Sequence, residues 1–190
     1  MRIFFLSLVF IFSSKSKADT AIFAGGCFWC MEEAFEKIDG VSEAVSGYID
    51  GKKINPTYKE VSSGSTGHTE AIRVTFDSKK ISYSDLLVHF WKNIDPTVQD
   101  QQFCDVGSQY RSGIYYLNNS QKKLAEKSQL QIKAIFKNVY TEVKKATRFY
   151  PAEDYHQDYY KKNPIRYKYY KFGCARVSRL EKVWKGKKFK

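Results

Sequence analysis

The feature that most constrains this chain is a short apolar run, Thr20-Ala21-Ile22-Phe23-Ala24, followed at once by Gly25-Gly26 and then by Cys27-Phe28-Trp29-Cys30. The run reads as a strand, and the two glycines permit a tight turn. Met31-Glu32-Glu33-Ala34-Phe35-Glu36-Lys37-Ile38 carries good helix formers with apolar groups at helical spacing, so a helix begins around the cysteine pair. Cys27 is thereby placed at or near a helix N-terminus. Free backbone N–H groups and the positive end of the helix dipole favour a thiolate there.

The rest of the chain continues the alternation. Val41 to Tyr48 reads as a strand, and Asp50 to Gly67, rich in Gly, Ser and Asn with Pro56, as a long loop of the length that tends to carry function. Thr69 to Phe76 alternates as a strand. Ser82-Tyr83-Ser84-Asp85 has a capping pattern and opens a helix through Leu86, Leu87, Phe90 and Trp91, which Asp95-Pro96 stops. Residues 97–110 read as polar loop, Ser112 to Leu117 as a strand, Ser120 to about Phe136 as an amphipathic helix and Val139 to Lys144 as a strand. From Tyr155 the tail holds helical and irregular pieces. This order predicts an α+β fold: a two-layer sandwich with a mixed, ferredoxin-like sheet covered by helices.

Met1-Arg2, an apolar stretch from Ile3 to Phe12 and the small residues around Ser16-Lys17-Ala18 predict a secretory signal at residues 1–18, cleaved after Ala18. An uncleaved anchor is the alternative. Export to a periplasm or beyond is the expectation for a bacterial source. Residues 19–190 then form one domain with a basic C-terminal tail, and a monomer is the default. Lys and Arg number 32 against 20 Asp and Glu, a net charge of +12. Much of the excess lies in Lys161-Lys162 and in the last nine residues, which reads as a solvated basic surface. The aromatics cluster as Tyr155 to Tyr170 without the signatures of RNA recognition, so no nucleic-acid partner is expected.

A Cys-x-x-Cys pair can be half of a zinc site, a structural disulfide or a redox pair. Zinc wants a second close pair, and Cys104 and Cys174 are single and far apart. The three histidines, His68, His89 and His156, do not have ligand spacing either, so no metal is expected. Thiol chemistry needs acids and hydrogen-bond donors. Glu70 stands at a loop-to-strand junction, where partial burial raises a carboxyl pKa and makes it a proton donor. Tyr48 ends a strand beside glycine. Asp105 and Tyr110 share a polar loop with Cys104. Read singly, each of these fits a structural role as well as a catalytic one.

Gly26-Cys27-Phe28-Trp29 after a strand resembles the signature of the A-class peptide methionine sulfoxide reductases. Gly47-Tyr48, Thr66-Gly67-His68-Thr69-Glu70-Ala71, Phe90-Trp91 through Asp95-Pro96-Thr97, Asp105 through Gln109-Tyr110-Arg111-Ser112, and Ala152 through Gln157 to Asn163-Pro164 extend the likeness in family order. The resemblance implies thiolate attack by Cys27 on the sulfur of the S epimer of methionine sulfoxide, free or in proteins. It implies Glu70 as the acid, with Tyr48, Tyr110 and Asp105 binding the oxygen and orienting that acid. Phe28 and Trp29 would cradle the methyl group, with His156 beside them. Cys27 would become a sulfenic acid, a second thiol would condense with it, and a thioredoxin-like donor would reduce the disulfide. No cofactor is implied. Two departures from the family pattern bear on the second thiol: Cys30 stands where glycine is common, and the tail holds one cysteine, Cys174. Cys30 and Cys174, the latter in a tail able to swing over Cys27, are equal candidates for the resolving thiol, with Cys104 behind them. The alternatives to this chemistry are a thiol–disulfide oxidoreductase using Cys27 and Cys30 directly, and a secreted basic binding module.

Overall fold

A computed structural model describes residues 18–189, so the expected leader lies outside the described residues apart from Ala18. Among them no helix is long and apolar enough to cross a membrane. Strand β1 (Asp19–Gly25) runs into the glycine turn and helix α1 (Phe28–Glu36) follows. Gly26 takes φ +80°, and a Cβ there would lie 2.4 Å from Cβ of Gln102, so both backbone conformation and space demand glycine.

Strand β2 (Val41–Ile49) returns parallel to β1, with β3 (Thr69–Phe76) between them and antiparallel to both. After β3 come α3 (Tyr83–Lys92) and β6 (Ser112–Tyr116), and β6 pairs antiparallel with the free side of β1. The order β6-β1-β3-β2 from a β-α-β-β-α-β chain is the expected ferredoxin-like arrangement. It is widened at one edge by β7 (Glu142–Lys145), parallel to β6, and at the other by β8 (Tyr150–Pro151), antiparallel to β2. The single parallel pair is what makes this six-stranded sheet mixed.

Side chains of the sheet alternate between two environments. Ala21 and Phe23 of β1, Ala44 and Tyr48 of β2, and Ile72, Val74 and Phe76 of β3 face α1, α3 and α4 (Asn119–Ile135). There they bury Met31, Phe35, Leu86, Leu87, Phe90, Trp91, Ala125 and Ile132. The opposite face buries a smaller set, Ile22, Ala24, Ile49, Ala71 and Tyr115, under Ala146 and Phe149.

Three stretches differ from the sequence reading. The long loop of residues 50–67 contains α2 (Tyr58–Ser62), opened by a capping box between Thr57 and Glu60. Residues 97–110 contain the short pair β4 (Gln101–Gln102) and β5 (Asp105–Val106), then a 3-10 turn at Ser108–Tyr110. The tail holds α5 (Tyr159–Lys162), α6 (Pro164–Gly173) and α7 (Arg176–Trp184). Pro164 sits in the first turn of α6, where its missing N–H costs nothing. Glu33 on α1 accepts from Tyr167 and Lys171 of α6, and Trp184 of α7 donates its indole N–H to the Ile94 carbonyl at 3.1 Å. The tail is thereby packed back onto the sandwich.

Candidate active site

The strand–turn–helix unit puts Cys27 at the N-cap of α1. The first free amide of that helix, Phe28 N–H, donates to Glu70 Oε2 at 2.9 Å. Glu70 occupies β3 directly opposite Tyr48 of β2, on the helix-facing side of the sheet. Nucleophile and acid are therefore joined by register: one begins the helix, the other receives its leading N–H. Cys27 and Glu70 are both buried, and they share a cavity of about 50 Å³ with Phe28, Trp29, Tyr58, Asp105, Tyr110 and Tyr170.

Burial dominates the electrostatics. It raises the Glu70 carboxyl to about 8, against the Phe28 N–H bond that favours the ionised form, with the nearby Asp105 pushing further up. Glu70 is thus a neutral acid at pH 7: one oxygen accepts from Phe28, leaving the other able to carry and donate a proton. Asp105 is also raised by burial, while its hydrogen bond from Tyr170 pulls it down.

The cysteines behave differently from the helix-dipole expectation. Burial raises the Cys27 thiol well above its ordinary range, helped by its hydrogen bond with Cys30 and by the charges of Cys30 and Glu70. The amide that could have stabilised a Cys27 thiolate is committed to Glu70. Cys30, receiving the Cys27 hydrogen bond, is lowered to about 7 despite burial, with Arg176, Tyr167 and Lys171 also lowering it. Of the two thiols, Cys30 is therefore the one whose surroundings favour the charge, with Arg176 beside it. That guanidinium is itself buried, donates to the Asn93 carbonyl at 2.6 Å and lies 4.3 Å from the centre of the Phe103 ring.

Trp29 stacks on Tyr159 at 3.8 Å between centroids, and its indole N–H donates to His156 Nδ1 at 3.1 Å. Burial pushes His156 down to about 4, which keeps it neutral and able to accept. His156 was expected beside the substrate's methyl group. It lies instead behind that wall, with its ring against Phe28 and Tyr58 and its hydrogen bond on Trp29, and it is not among the residues lining the cavity.

Tyr48 also departs from expectation. Its ring is buried and packs near Phe28, but its hydroxyl donates to Glu153 Oε2 at 2.8 Å and does not line the cavity. Tyr58, at the start of α2, lines it in that place, beside Tyr110. The same Glu153 fixes Tyr58 by accepting its backbone N–H at 2.8 Å. Tyr58 and Tyr170 were missed by sequence reasoning. The Thr57-x-x-Glu60 capping box is a signal for α2; nothing in the Tyr- and Lys-rich tail singles out Tyr170.

Cys174 was expected in a swinging tail. It stands instead at the C-cap of α6 and forms a disulfide with Cys104, with 4.8 Å between Cα atoms. Cys27 and Cys30 are the free cysteines. Elsewhere, Glu32, Glu36 and Asp158 bring three carboxylates together, but Lys161 already bridges Glu36 and Asp158 at 2.7 Å each.

The profile of the peptide methionine sulfoxide reductase family matches residues 19–188. Among curated proteins, the peptide methionine sulfoxide reductase MsrA of Listeria monocytogenes serotype 4a is 47% identical over 176 residues, 91% of this chain and 99% of that one. The Bacillus licheniformis MsrA is 47% identical over 171 residues, 88% of this chain and 94% of its own. Among solved structures, reduced Mxr1 of Saccharomyces cerevisiae superposes with a TM-score of 0.75 at 30% identity, covering 80% of this chain and 89% of that one. Methionine sulfoxide reductase A of Corynebacterium diphtheriae gives 0.71 at 31% identity, covering 80% and 78%.

Proposed function

This chain belongs to the peptide methionine sulfoxide reductase family, and from that membership we propose how its own residues reduce the sulfoxide. The S epimer enters with its methyl group against Phe28 and Trp29 and its oxygen toward Glu70, Tyr58 and Tyr110. Cys27 attacks the sulfur as a thiolate, its proton passing to the Cys30 thiolate beside it. The neutral Glu70 protonates the oxygen, because a sulfoxide sulfur accepts a nucleophile only when its oxygen is relieved of charge. The hydroxyl passes from the substrate sulfur to that of Cys27 as the S–O bond and the transient sulfur–sulfur bond break; methionine leaves with two more electrons on sulfur, and Cys27 is left as a sulfenic acid.

Cys30, now a thiol one helical turn away, attacks the Cys27 sulfur; water departs with the oxygen and a Cys27–Cys30 disulfide forms. Of the two equal candidates for this step, Cys30 is favoured because it is already in hydrogen-bond contact with Cys27, whereas Cys174 is engaged with Cys104. A thioredoxin-like dithiol protein then reduces the disulfide by exchange. Protein-bound and free methionine sulfoxide are both substrates, and cleavage after Ala18 would place the reaction outside the cytoplasm.

The observation that carries this reading is the contact of the acid with the helix that bears the nucleophile, Phe28 N–H to Glu70 Oε2 at 2.9 Å, over one shared cavity. The test is reduction of the two epimers of methionine sulfoxide by dithiothreitol. Turnover of the S epimer alone, lost in Cys27→Ser and strongly reduced in Glu70→Gln, is expected. Turnover of neither epimer by the folded protein, with reduction of protein disulfides in its place, overturns it in favour of a thiol–disulfide oxidoreductase.

A further inference from the structure

We propose that Tyr170 is a lid residue over Cys27, and that the Cys104–Cys174 disulfide holds this lid closed until a dithiol reduces it. The inference rests on reading Cys27 as the thiol that meets the sulfoxide.

The site as it stands is tight. Cys27 is 5% exposed and Cys30 3%. The cavity above them, about 50 Å³, is well short of the roughly 150 Å³ that takes up a molecule the size of benzene. A methionine sulfoxide side chain, with its branched sulfur, cannot reach Cys27 without displacing part of the wall. Of the residues lining that wall, Phe28, Trp29, Glu70 and Tyr110 belong to the sandwich or its tight turns. Tyr170 alone comes from the tail.

Beside a hydrogen-bond contact with Cys27 itself, Tyr170 meets the rest of the site through two contacts. Its hydroxyl donates to Asp105 Oδ2 at 2.6 Å, and its ring stands edge-on to Trp29 at 5.8 Å between centroids. The disulfide runs beside the first of these. Cys104 is the residue before Asp105, and Cys174 lies one helical turn beyond Tyr170, on the same side of α6. A covalent bond and a hydrogen bond thus join the same two elements, the β4–β5 hairpin and α6. The outer side of α6 is free, with Ile165, Tyr169 and Phe172 73%, 77% and 87% exposed; on its inner side Tyr167, its one buried residue, and Lys171 bond to Glu33 of α1.

Breaking the disulfide removes the one covalent tie and leaves only non-covalent ones, from Tyr170 to Asp105, Cys27 and Trp29 and from Tyr167 and Lys171 to Glu33, so the open form gains population. The bond is reachable, since Cys104 is exposed at the surface and Cys174 is half-buried. The chemistry is ordinary exchange. A donor thiolate attacks one sulfur of the Cys104–Cys174 bond, the other sulfur leaves as a thiolate, and the second donor thiol displaces the mixed disulfide. Two electrons pass from the donor, which ends as a disulfide, and Cys104 and Cys174 end as thiols. The dithiol that regenerates the enzyme would then also open it.

A Cys30→Ser background isolates the effect, because Cys27 can then form no disulfide with its neighbour while Cys104–Cys174 stays intact, as mass spectrometry would verify. This protein is mixed with one equivalent of a methionine-S-sulfoxide peptide without reductant, and methionine release is timed. Removing the second pair (Cys30→Ser with Cys104→Ser and Cys174→Ser), or pre-reducing with dithiothreitol and desalting, should speed release by about tenfold or more. Tyr170→Ala in the same background should do so with the disulfide still formed, which separates lid opening from any loosening of the fold. Equal rates in all four proteins overturn the proposal. Should none release methionine while the reduced wild-type protein does, the Cys30 thiolate is the obligatory proton acceptor; should the wild type release none either, the reading of Cys27 fails. Alkylation of Cys27 by iodoacetamide, timed in the same proteins, still reads the lid: faster labelling in the opened forms supports it, and equal labelling overturns it.

Discussion

Two pairs of cysteines stand near one cavity, which Cys27 alone of the four lines, and they are built in opposite ways. Cys27 and Cys30 lie one turn apart at the head of α1, buried and free. Cys104 and Cys174 are separated by 70 residues, lie nearer the surface and are joined. The first pair is made by local geometry, in that any strand–turn–helix with this spacing brings its thiols together. The second exists only once the tail has folded back over the β4–β5 hairpin. Their surroundings differ to match. Around the first pair stand a neutral carboxyl, a buried guanidinium and a wall of aromatic rings. Around the second there is solvent on one side and the tail on the other. Proximity to a common pocket therefore does not give cysteines a common task; the groups that surround each sulfur decide it.

The contrast breaks first at Cys27. Cys27→Ser should cut single-turnover methionine release by roughly 10⁴-fold or more, while Cys174→Ser retains it; loss in both would show that the surface pair takes part in the chemical step. Next is the acid. Because the folded-state pKa of Glu70 is raised to about 8, its proton-donating form dominates at neutral pH and is lost as pH rises through 8. The rate should therefore fall above pH 8 in the wild type. Glu70→Gln should lie about 10²–10⁴-fold lower at pH 7 and lack that alkaline limb. A wild-type limb that persists in the variant would assign it to another group.

Smaller effects sharpen the comparison. Cys30→Ser should still release one equivalent of methionine but turn over at least about tenfold more slowly with a thioredoxin-like donor, since the sulfenic acid then lacks its near partner. Peptide mapping that finds a Cys27–Cys174 bond in the oxidised wild type would move the resolving role to the surface pair. Tyr58→Phe should lower kcat/KM roughly tenfold or more, as loss of a donor to the substrate oxygen does. Tyr48→Phe should act mainly on stability, by about 1 kcal/mol, because its hydroxyl serves Glu153. Last, Cys104→Ser with Cys174→Ser removes a tie across a long loop. It should cost about 2–4 kcal/mol, read as a Tm lower by roughly 5–15 °C.

The same contrast separates what could be read from the sequence from what could not. The unit at residues 20–38 is legible because every signal in it is local: an apolar run, paired glycines, then helix formers at helical spacing. Glu70 is legible as an acid because a carboxyl at the start of a central strand has few ways to stay solvated. The pairing of Cys104 with Cys174 is not, since spacing carries no information about which distant loops meet. Tyr48 draws notice because it ends a recognisable strand, and Tyr58, inside a long loop, does not. What separates the two is which hydroxyl Glu153 captures, a fact of tertiary packing. The tail reads only as unplaced helical and irregular pieces because its tyrosines and lysines carry no apolar periodicity; its helix α6 is held by an ion pair and a hydrogen bond to Glu33 on α1. Those partners work against burial to hold the Glu33 carboxyl down to about 2. The Cys27 thiol, expected to ionise readily at a helix N-terminus, is instead pushed up by burial, and the acid has taken the amide.

The pairing of Tyr48 with Glu70 across β2 and β3 sets a limit on how this protein can change over evolutionary time. A strand has only two faces, and one residue gained or lost between Thr69 and the middle of β3 would turn Glu70 from the helix side toward the small core of Ile22, Ala24 and Ala71. The acid would then point away from its nucleophile, although every residue of the site remained in the chain. Loops such as residues 50–57 can drift in length, and the tail can be rebuilt. The count of residues in β3, more than the identity of most of them, is what descent must preserve.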